Sequence, residues 1–428
     1  MTWIAFILSA QAEPNIDTSF RLNIRPMFLS NPDYNAETDD SIGFVQQGVR
    51  ANFKGTWQGM VLKASFQDVR TWGTEQTVAS SSDPSAGLHE GYFQFGTADN
   101  KTLWARVGRQ EYDHNQGRFF WRAGWAIPGR AFDAIRIHNE SGNLSGDLIG
   151  MVWKNAENHS ETECLDVEDS VEGSENLCAL TKTTTSKSAG DLVFVAAGEA
   201  RVSEQLTAQP YVISFIDGPD SAAEDLMHHY TPGIRLTGYL NELISYDVEG
   251  AYQTGKADAE TTHAAWLAAA RMDYKNGPVA AHVLYEEHSG DGDPNDDVNN
   301  DFESFLGARH RYRGFADQTG GMNLRDLSAG AGYQLNDFIG FTAAYHYFQL
   351  SNPEGSWVNS RIQVIGTPDQ GNEDPNIGHE VDLVATWTPV KGLKLRFSNA
   401  VFIPLGIGKE LAGNDAYNST FVWMTAER

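Results

Sequence analysis

Charged side chains recur at every second position along many stretches of this chain. Arg21 and Arg25 alternate with Phe20, Leu22 and Ile24, and Arg50, Lys54, Lys63, Arg106, Arg136 and Arg235 hold equivalent places in later stretches. Asp247, Glu249, Asp273, Glu286, Glu380 and Asp382 do the same farther on, interleaved with Arg271, Lys394 and Arg396. A spacing of two places such residues on one face of a strand. A charged face of this kind can orient polar or zwitterionic solutes and tune ion selectivity. It can equally consist of pairs that hold the wall together, and both roles are compatible. Covalent chemistry has no comparable signal: GxSxG, HExxH and the P-loop are all absent, so no catalytic residues are expected. The adjacent His228 and His229 read as solvated loop residues.

The formal net charge of −26 argues against nucleic acid as a partner, because phosphates require a basic surface. The densest acidic run is 286–303, EEHSGDGDPNDDVNNDFE. Its Asp291, Asp293, Asp296 and Asp297 are weak candidates for loop-bound Ca²⁺, although the spacing is not that of an EF-hand. A solvated external loop is the favoured reading, and no other cofactor is expected. The two cysteines, Cys164 and Cys178, fall in one long connection and are a disulfide candidate in an oxidising compartment. Residues 3–10, WIAFILSA, followed by Ala10-Gln11-Ala12, read as the end of a secretory signal, which leaves 13–428 as one domain.

Apolar/polar alternation marks eighteen strands, at 18–29, 42–54, 59–70, 89–97, 101–110, 131–139, 148–155, 189–199, 205–216, 231–240, 243–254, 262–274, 278–288, 324–335, 338–350, 378–388, 392–402 and 417–426. Long connections (30–41, 71–88, 111–130, 156–188, 217–230, 289–323, 351–377 and 403–416, with 255–261 shorter) take turns with connections that are mostly tight. In a soluble sandwich the apolar face would be core and the charged face solvent; in a membrane barrel they face lipid and lumen. Periodicity alone fits either. Three features favour the barrel: the long loops gather at one end, aromatic residues such as Trp57, Tyr92, Trp104 and Trp387 cluster near strand ends, and Gly and Ala on the apolar faces would fill a sandwich core poorly. The expected fold is therefore all-β, an 18-stranded antiparallel transmembrane barrel with short periplasmic turns, long external loops and a water-filled passage.

Parity breaks at Asp68 and Arg70, which share the phase of Leu62 and Phe66. Either a bulge shifts the register there or the strand has left the hydrocarbon by Asp68. Arg109 and Asp133 also have outward parity, which assigns them to an inward-folded loop 111–130 or to its edges.

The segments SFQDVRTWG (65–73), LHEGYFQF (88–95), RVGRQ (106–110), GRAFDAIRI (129–137), EGAYQTG (249–255), YEEHSGDGD (285–293), ARHRYRGFAD (308–317) and GHEVDL (378–383) occur in the order seen in the alginate-export family of outer-membrane barrels. The chain resembles that family over nearly its whole length. The resemblance implies a monomeric barrel in the bacterial outer membrane, in contact with lipid and lipopolysaccharide. It implies passive diffusion of small hydrophilic or anionic solutes, saccharides or an exported polysaccharide among them, through a charged constriction. It carries the constriction role onto Arg50, Arg70, Arg109, Arg130 and Arg136, with Asp68 and Asp133 as their partners. A scaffold, adhesin or receptor working through its external loops, or as the membrane sleeve of a larger complex, is the competing reading; a soluble β-protein is a third.

Overall fold

The computed structural model describes residues 15–38, 40–72, 86–96, 102–154, 158–164, 181–187, 191–216, 228–258, 260–293 and 295–428. The proposed signal segment, Cys178 and the side chain of Cys164 lie outside the described residues.

Eighteen antiparallel strands close on themselves: β1 (Asn15–Ser30), β2 (Ile42–Trp57), β3 (Met60–Thr71), β4 (Gly87–Gly96), β5 (Leu103–Gln110), β6 (Phe132–Ser141), β7 (Leu144–Lys154), β8 (Asp191–Ser203), β9 (Leu206–Ile216), β10 (His228–Asn241), β11 (Ile244–Lys256), β12 (Thr262–Asn276), β13 (Val279–His288), β14 (Leu324–Gln334), β15 (Ile339–Gln349), β16 (Asn376–Val390), β17 (Leu393–Pro404) and β18 (Tyr417–Glu427). Each pairs with its chain neighbours, and β18 pairs back onto β1 from Arg21↔Glu427 to Ser30↔Asn418, which leaves no free edge. All eighteen strands read from the alternation are present. The shortest connections carry turn chemistry: Gln58 and Gly59, both at positive φ (44° and 80°), make the two-residue link between β2 and β3 that matches strand twist.

The alternation resolves as the barrel requires. Phe20, Phe53, Leu62, Phe93, Ile135, Leu148 and Phe397 are exposed on the outer face, while Arg25, Ser65, Gln94 and Glu249 are buried inside. The outer face is therefore apolar over the height that lipid covers.

The lumen is not lined by charge throughout. On β6–β9 and β12, in the half nearer the long loops, many inward residues are apolar: Phe132, Ile149, Met151, Val193, Val195, Ile213, Phe215 and Leu267. Two long connections, 111–131 and 289–323, fold inward and bring Phe119, Phe120, Phe302 and Phe305 onto this wall, each at most 3% exposed. Burying an aromatic side chain of this size stabilises by roughly 1.5–3 kcal/mol. A second apolar cluster, Tyr34, Phe348, Trp357, Ile377, Phe402 and Tyr417, closes the same end over β14–β18. The long-loop end of the barrel is thus filled by its own loops.

Candidate functional site

Between and below these plugs, the described residues line two chambers that share no lining residue. The larger, about 1010 Å³, lies along β8–β16 and reaches the short-turn rim at Glu204, Tyr239, Glu242 and Lys275. The smaller, about 460 Å³, lies against β1–β4 and β18, and residues 122–129 form its roof.

The roof is positioned by arginines of the wall. Arg50 on β2 donates to Glu111 (3.0 Å), to Gln67 (2.9 Å) and to the carbonyl of Pro128 (3.1 Å). Arg25 on β1 donates to the carbonyl of Trp125 (2.6 Å) and to Gln46, with its guanidinium 3.9 Å over the Trp125 ring. Trp125 in turn stacks on His310 (3.5 Å), His310 on Phe315 (4.7 Å), and Arg396 on β17 lies over Phe315 (4.6 Å). This column ties both inward loops to the β17–β18–β1 wall. A bulge in β4, where Ser65↔Glu90 is followed by Phe66↔Leu88, turns His89 inward beside Glu90, and His89 reaches Glu111 at 2.9 Å. Burial alone would raise the Glu111 carboxyl; the bond to His89 and the charge of Arg50 outweigh it and hold the group below the usual carboxylate range.

The plug itself is latched by buried charge. Arg118, from the 111–131 loop, makes an ion pair with Glu249 on β11 (2.9 Å) and another with Glu286 on β13. Arg313, from the 289–323 loop, donates to Glu286 (2.8 Å) and sits against His288 (2.9 Å). Burial, reinforced by Arg118, pushes the Arg313 guanidinium down to about 9, so it stays charged at neutral pH. The acidic side chains Glu380 and Asp382 on β16 accept the amides of Ala316 (2.8 Å) and Phe315 (3.4 Å). Gly314 is required here, because its φ is left-handed (83°) and a Cβ would run into the Glu380 carboxylate.

The sequence-derived site residues separate into three groups. Arg21, Arg25, Arg50, Arg106, Arg136, Arg235, Asp247, Glu249, Arg271, Glu380, Asp382 and Arg396 face inward. Most of the cations among them are already matched: Arg21 to Glu427 (3.1 Å), Arg136 to Asp147 (2.8 Å), Arg235 to Asp247 (2.6 Å) and Arg271 to Asp273 (2.6 Å). Arg106 is bound by Gln94 (2.8 Å) and lies over Tyr92 (4.2 Å). Glu249 and Glu380 are 2% and 0% exposed, so they anchor loops instead of lining open water.

Asp68, Arg70, Arg109 and Asp133 form the second group, and here the expectation needs correcting. The β2–β3 ladder runs from Trp57↔Met60 to Gln46↔Thr71 with no shift, which sets Asp68 opposite outward-facing Val49. Asp68 and Arg70 pair with one another on the outer face (2.7 Å), and Arg109 and Asp133 do the same across β5–β6 (3.0 Å). All four sit near the long-loop ends of their strands, and mutual pairing satisfies them without a place in the pore. Arg130 is the third case. It is a staple, donating to the carbonyls of Trp121 (3.2 Å) and Leu306 (2.5 Å), with burial pushing it down to about 10.

In the acidic loop, Asp291 accepts the amide of Asp293, Asp293 that of Asn295, and Asp296 that of Val298. Among the described residues no three acidic or imidazole groups converge as a metal set would.

A family model described as alginate export matches residues 15–406. The chain belongs to the alginate export family. Solved outer-membrane proteins share the family member's architecture at low identity. Pseudomonas aeruginosa OccK5 (OpdH) aligns at 12% identity and a TM-score of 0.59 over 96% of this chain and 98% of that one. Acinetobacter baumannii OccAB2 aligns at 12% and 0.60 over 96% and 98%. The Pseudomonas aeruginosa outer-membrane protein OpdK aligns at 11% and 0.61 over 96% and 98%. Among proteins with curated descriptions none matches. This alginate-export barrel is a channel for small solutes in a bacterial outer membrane.

Proposed function

We propose that this channel passes small anionic and neutral hydrophilic solutes, saccharides among them, by passive diffusion through the smaller chamber, as a monomer and without covalent chemistry. The observation that carries this reading is the charge balance of the two chambers. In the smaller, Arg21, Arg50, Lys63 and Arg122 face only Glu90, Glu111 and Glu427. In the larger, Arg235, Arg271, Lys275 and Arg311 face six carboxylates, among them Asp247, Asp273 and Asp382. The sign of the local potential decides which ions enter a narrow aqueous passage, so anions take the smaller route. Pairing leaves that excess small, which favours modest anion preference over the strong field a long polyanion would need.

The test is a reversal potential across a planar bilayer under a KCl gradient. Arg50→Gln should move it toward cation preference. An unchanged value would remove the smaller chamber from the conduction path.

A further inference from the structure

The roof of the smaller chamber has the construction of a moving part. Residues 122 and 130 are clasped to each other, with the Arg130 amide donating to the Arg122 carbonyl (2.8 Å), so the segment between them is a closed loop on a narrow base. Inside it, Ala123 and Gly129 take left-handed φ values (53° and 65°). Besides the Trp125 ring, which lies between Arg25 and His310 and against Phe421, its fastening to β1 and β2 comes from few contacts. Ile127 packs onto Gly48, where a Cβ would lie 2.5 Å from the Ile127 Cγ2, and two of its carbonyls are held by wall arginines: Trp125 by Arg25 and Pro128 by Arg50. The Phe cluster that seals the rest of the plug includes no residue of 121–130.

The position of this segment matters for passage. On β1 the chamber touches Ser19, Arg21 and Asn23, and the roof touches Arg25, one step nearer the long-loop rim. A solute crossing this chamber must displace the roof.

We propose that residues 121–130 are an anion-released lid, held shut because Arg25 and Arg50 donate to its carbonyls and opened when a carboxylate takes those donors. This rests on the reading of the smaller chamber as the anion route. The exchange is favourable because a carboxylate brings an opposite charge and can accept two guanidinium N–H groups at once, whereas a carbonyl is a single neutral acceptor. It is coupled because the N–H groups that hold the lid are released only once its carbonyls have left, so the solute binds the open form better and shifts the equilibrium toward it. Arg25 suits the role: its bonds go to Gln46 and the lid, all neutral acceptors.

A reversible tether tests the idea. A Cβ on Gly48 lies 3.9 Å from the Ile127 Cβ, within the span a disulfide bridges. The Gly48→Cys/Ile127→Cys variant, in a Cys164→Ser/Cys178→Ser background, is reconstituted in planar bilayers and titrated with sodium glucuronate before and after reduction. Reduction should restore a glucuronate-dependent rise in current of about tenfold, the ratio set by one hydrogen bond to a charged group. Equal glucuronate currents in the oxidised and reduced states would overturn the lid and leave the channel standing. No current in either state would overturn both. In parallel, Arg25→Gln/Arg50→Gln should conduct chloride at the open level without glucuronate; a parental chloride level that still rises with glucuronate would show that the arginines do not hold the lid.

Discussion

Replacing Arg118 by methionine isolates what the buried latch contributes. Arg118, Glu249 and Glu286 have side chains 3%, 1% and 0% exposed, so neither carboxylate can turn to water when the guanidinium is removed. Glu286 keeps Arg313 at 2.8 Å. Glu249 keeps the Tyr211 hydroxyl at 2.9 Å but loses its ion-pair partner, so one buried carboxylate is orphaned. Breaking a buried ion pair from one side costs about 3–5 kcal/mol. With one carboxylate stranded, the lower end applies, about 3 kcal/mol. The barrel wall does not depend on this contact, so the loss should appear as local opening of the 111–131 loop. Amide exchange reads it directly at Gly117, whose N–H donates to the His114 carbonyl at 2.7 Å. Its protection should fall by roughly a hundredfold, at about 1.4 kcal/mol per tenfold. The Arg118→Met/Glu249→Gln double variant removes the stranded charge and should recover about 2 kcal/mol of that loss. If the double variant exchanges as fast as the two single effects added, the latch is not electrostatic and the reasoning fails.

Other consequences are as direct. His114 in the same loop is held down to about 3 by burial, with Arg235 adding to the effect, whereas an exposed histidine titrates near 6.5. The unfolded loop therefore takes up the proton first: stability is full above about pH 6.5 and falls as pH drops toward 3, by up to roughly 1.4 kcal/mol per pH unit. Proteolysis of the 111–131 loop should accelerate between pH 7 and 5, and His114→Gln should flatten that slope. Asp68→Asn and Arg109→Gln should leave the reversal potential unchanged because both side chains face outward, in contrast to Arg50→Gln; a shift from either would place it back in the pore. Gly129→Ala sets a Cβ 2.9 Å from Arg50 Nη2 and should raise single-channel conductance by unseating the roof.

The strands were legible because lipid imposes one rule on every outward position, and Phe20, Leu62 or Ile135 obey it independently of their neighbours in space. The inward face has no such rule. Whether an inward side chain meets water depends on which loop folds over it, and loops carry no periodicity. So Glu249 and Glu380 were correctly placed inside, yet their burial under 111–131 and 289–323 could not be read. Arg118 and Arg313, the groups that bury them, stand in loops and carry no alternation that marks them for this role. The one local hint was the run RHRYRGF at 309–315, where arginines alternate with rings and a glycine in a connection too long for a simple solvated loop. The apolar inner wall had a clearer signature. Runs such as LVFVAA at 192–197 and YVISFI at 211–216 are apolar on both parities, which marks strands covered on both faces.

Two kinds of loop fastening therefore coexist in one lumen, and their difference bears on passage. The 289–323 loop and the first part of 111–131 are held by phenylalanines and by charges with no route to solvent, contacts that no small solute can imitate. Residues 121–130 are held, beside the stacking of Trp125 on His310, by arginine–carbonyl bonds at the edge of a polar chamber, contacts that a carboxylate-bearing solute reproduces with a charged acceptor. Exchangeable contacts at the chamber and permanent ones elsewhere confine solute-driven opening to the side of β1–β4. The acidic larger chamber then stays roofed by Gln116, Arg311, Tyr312 and Phe315, whichever solute is present.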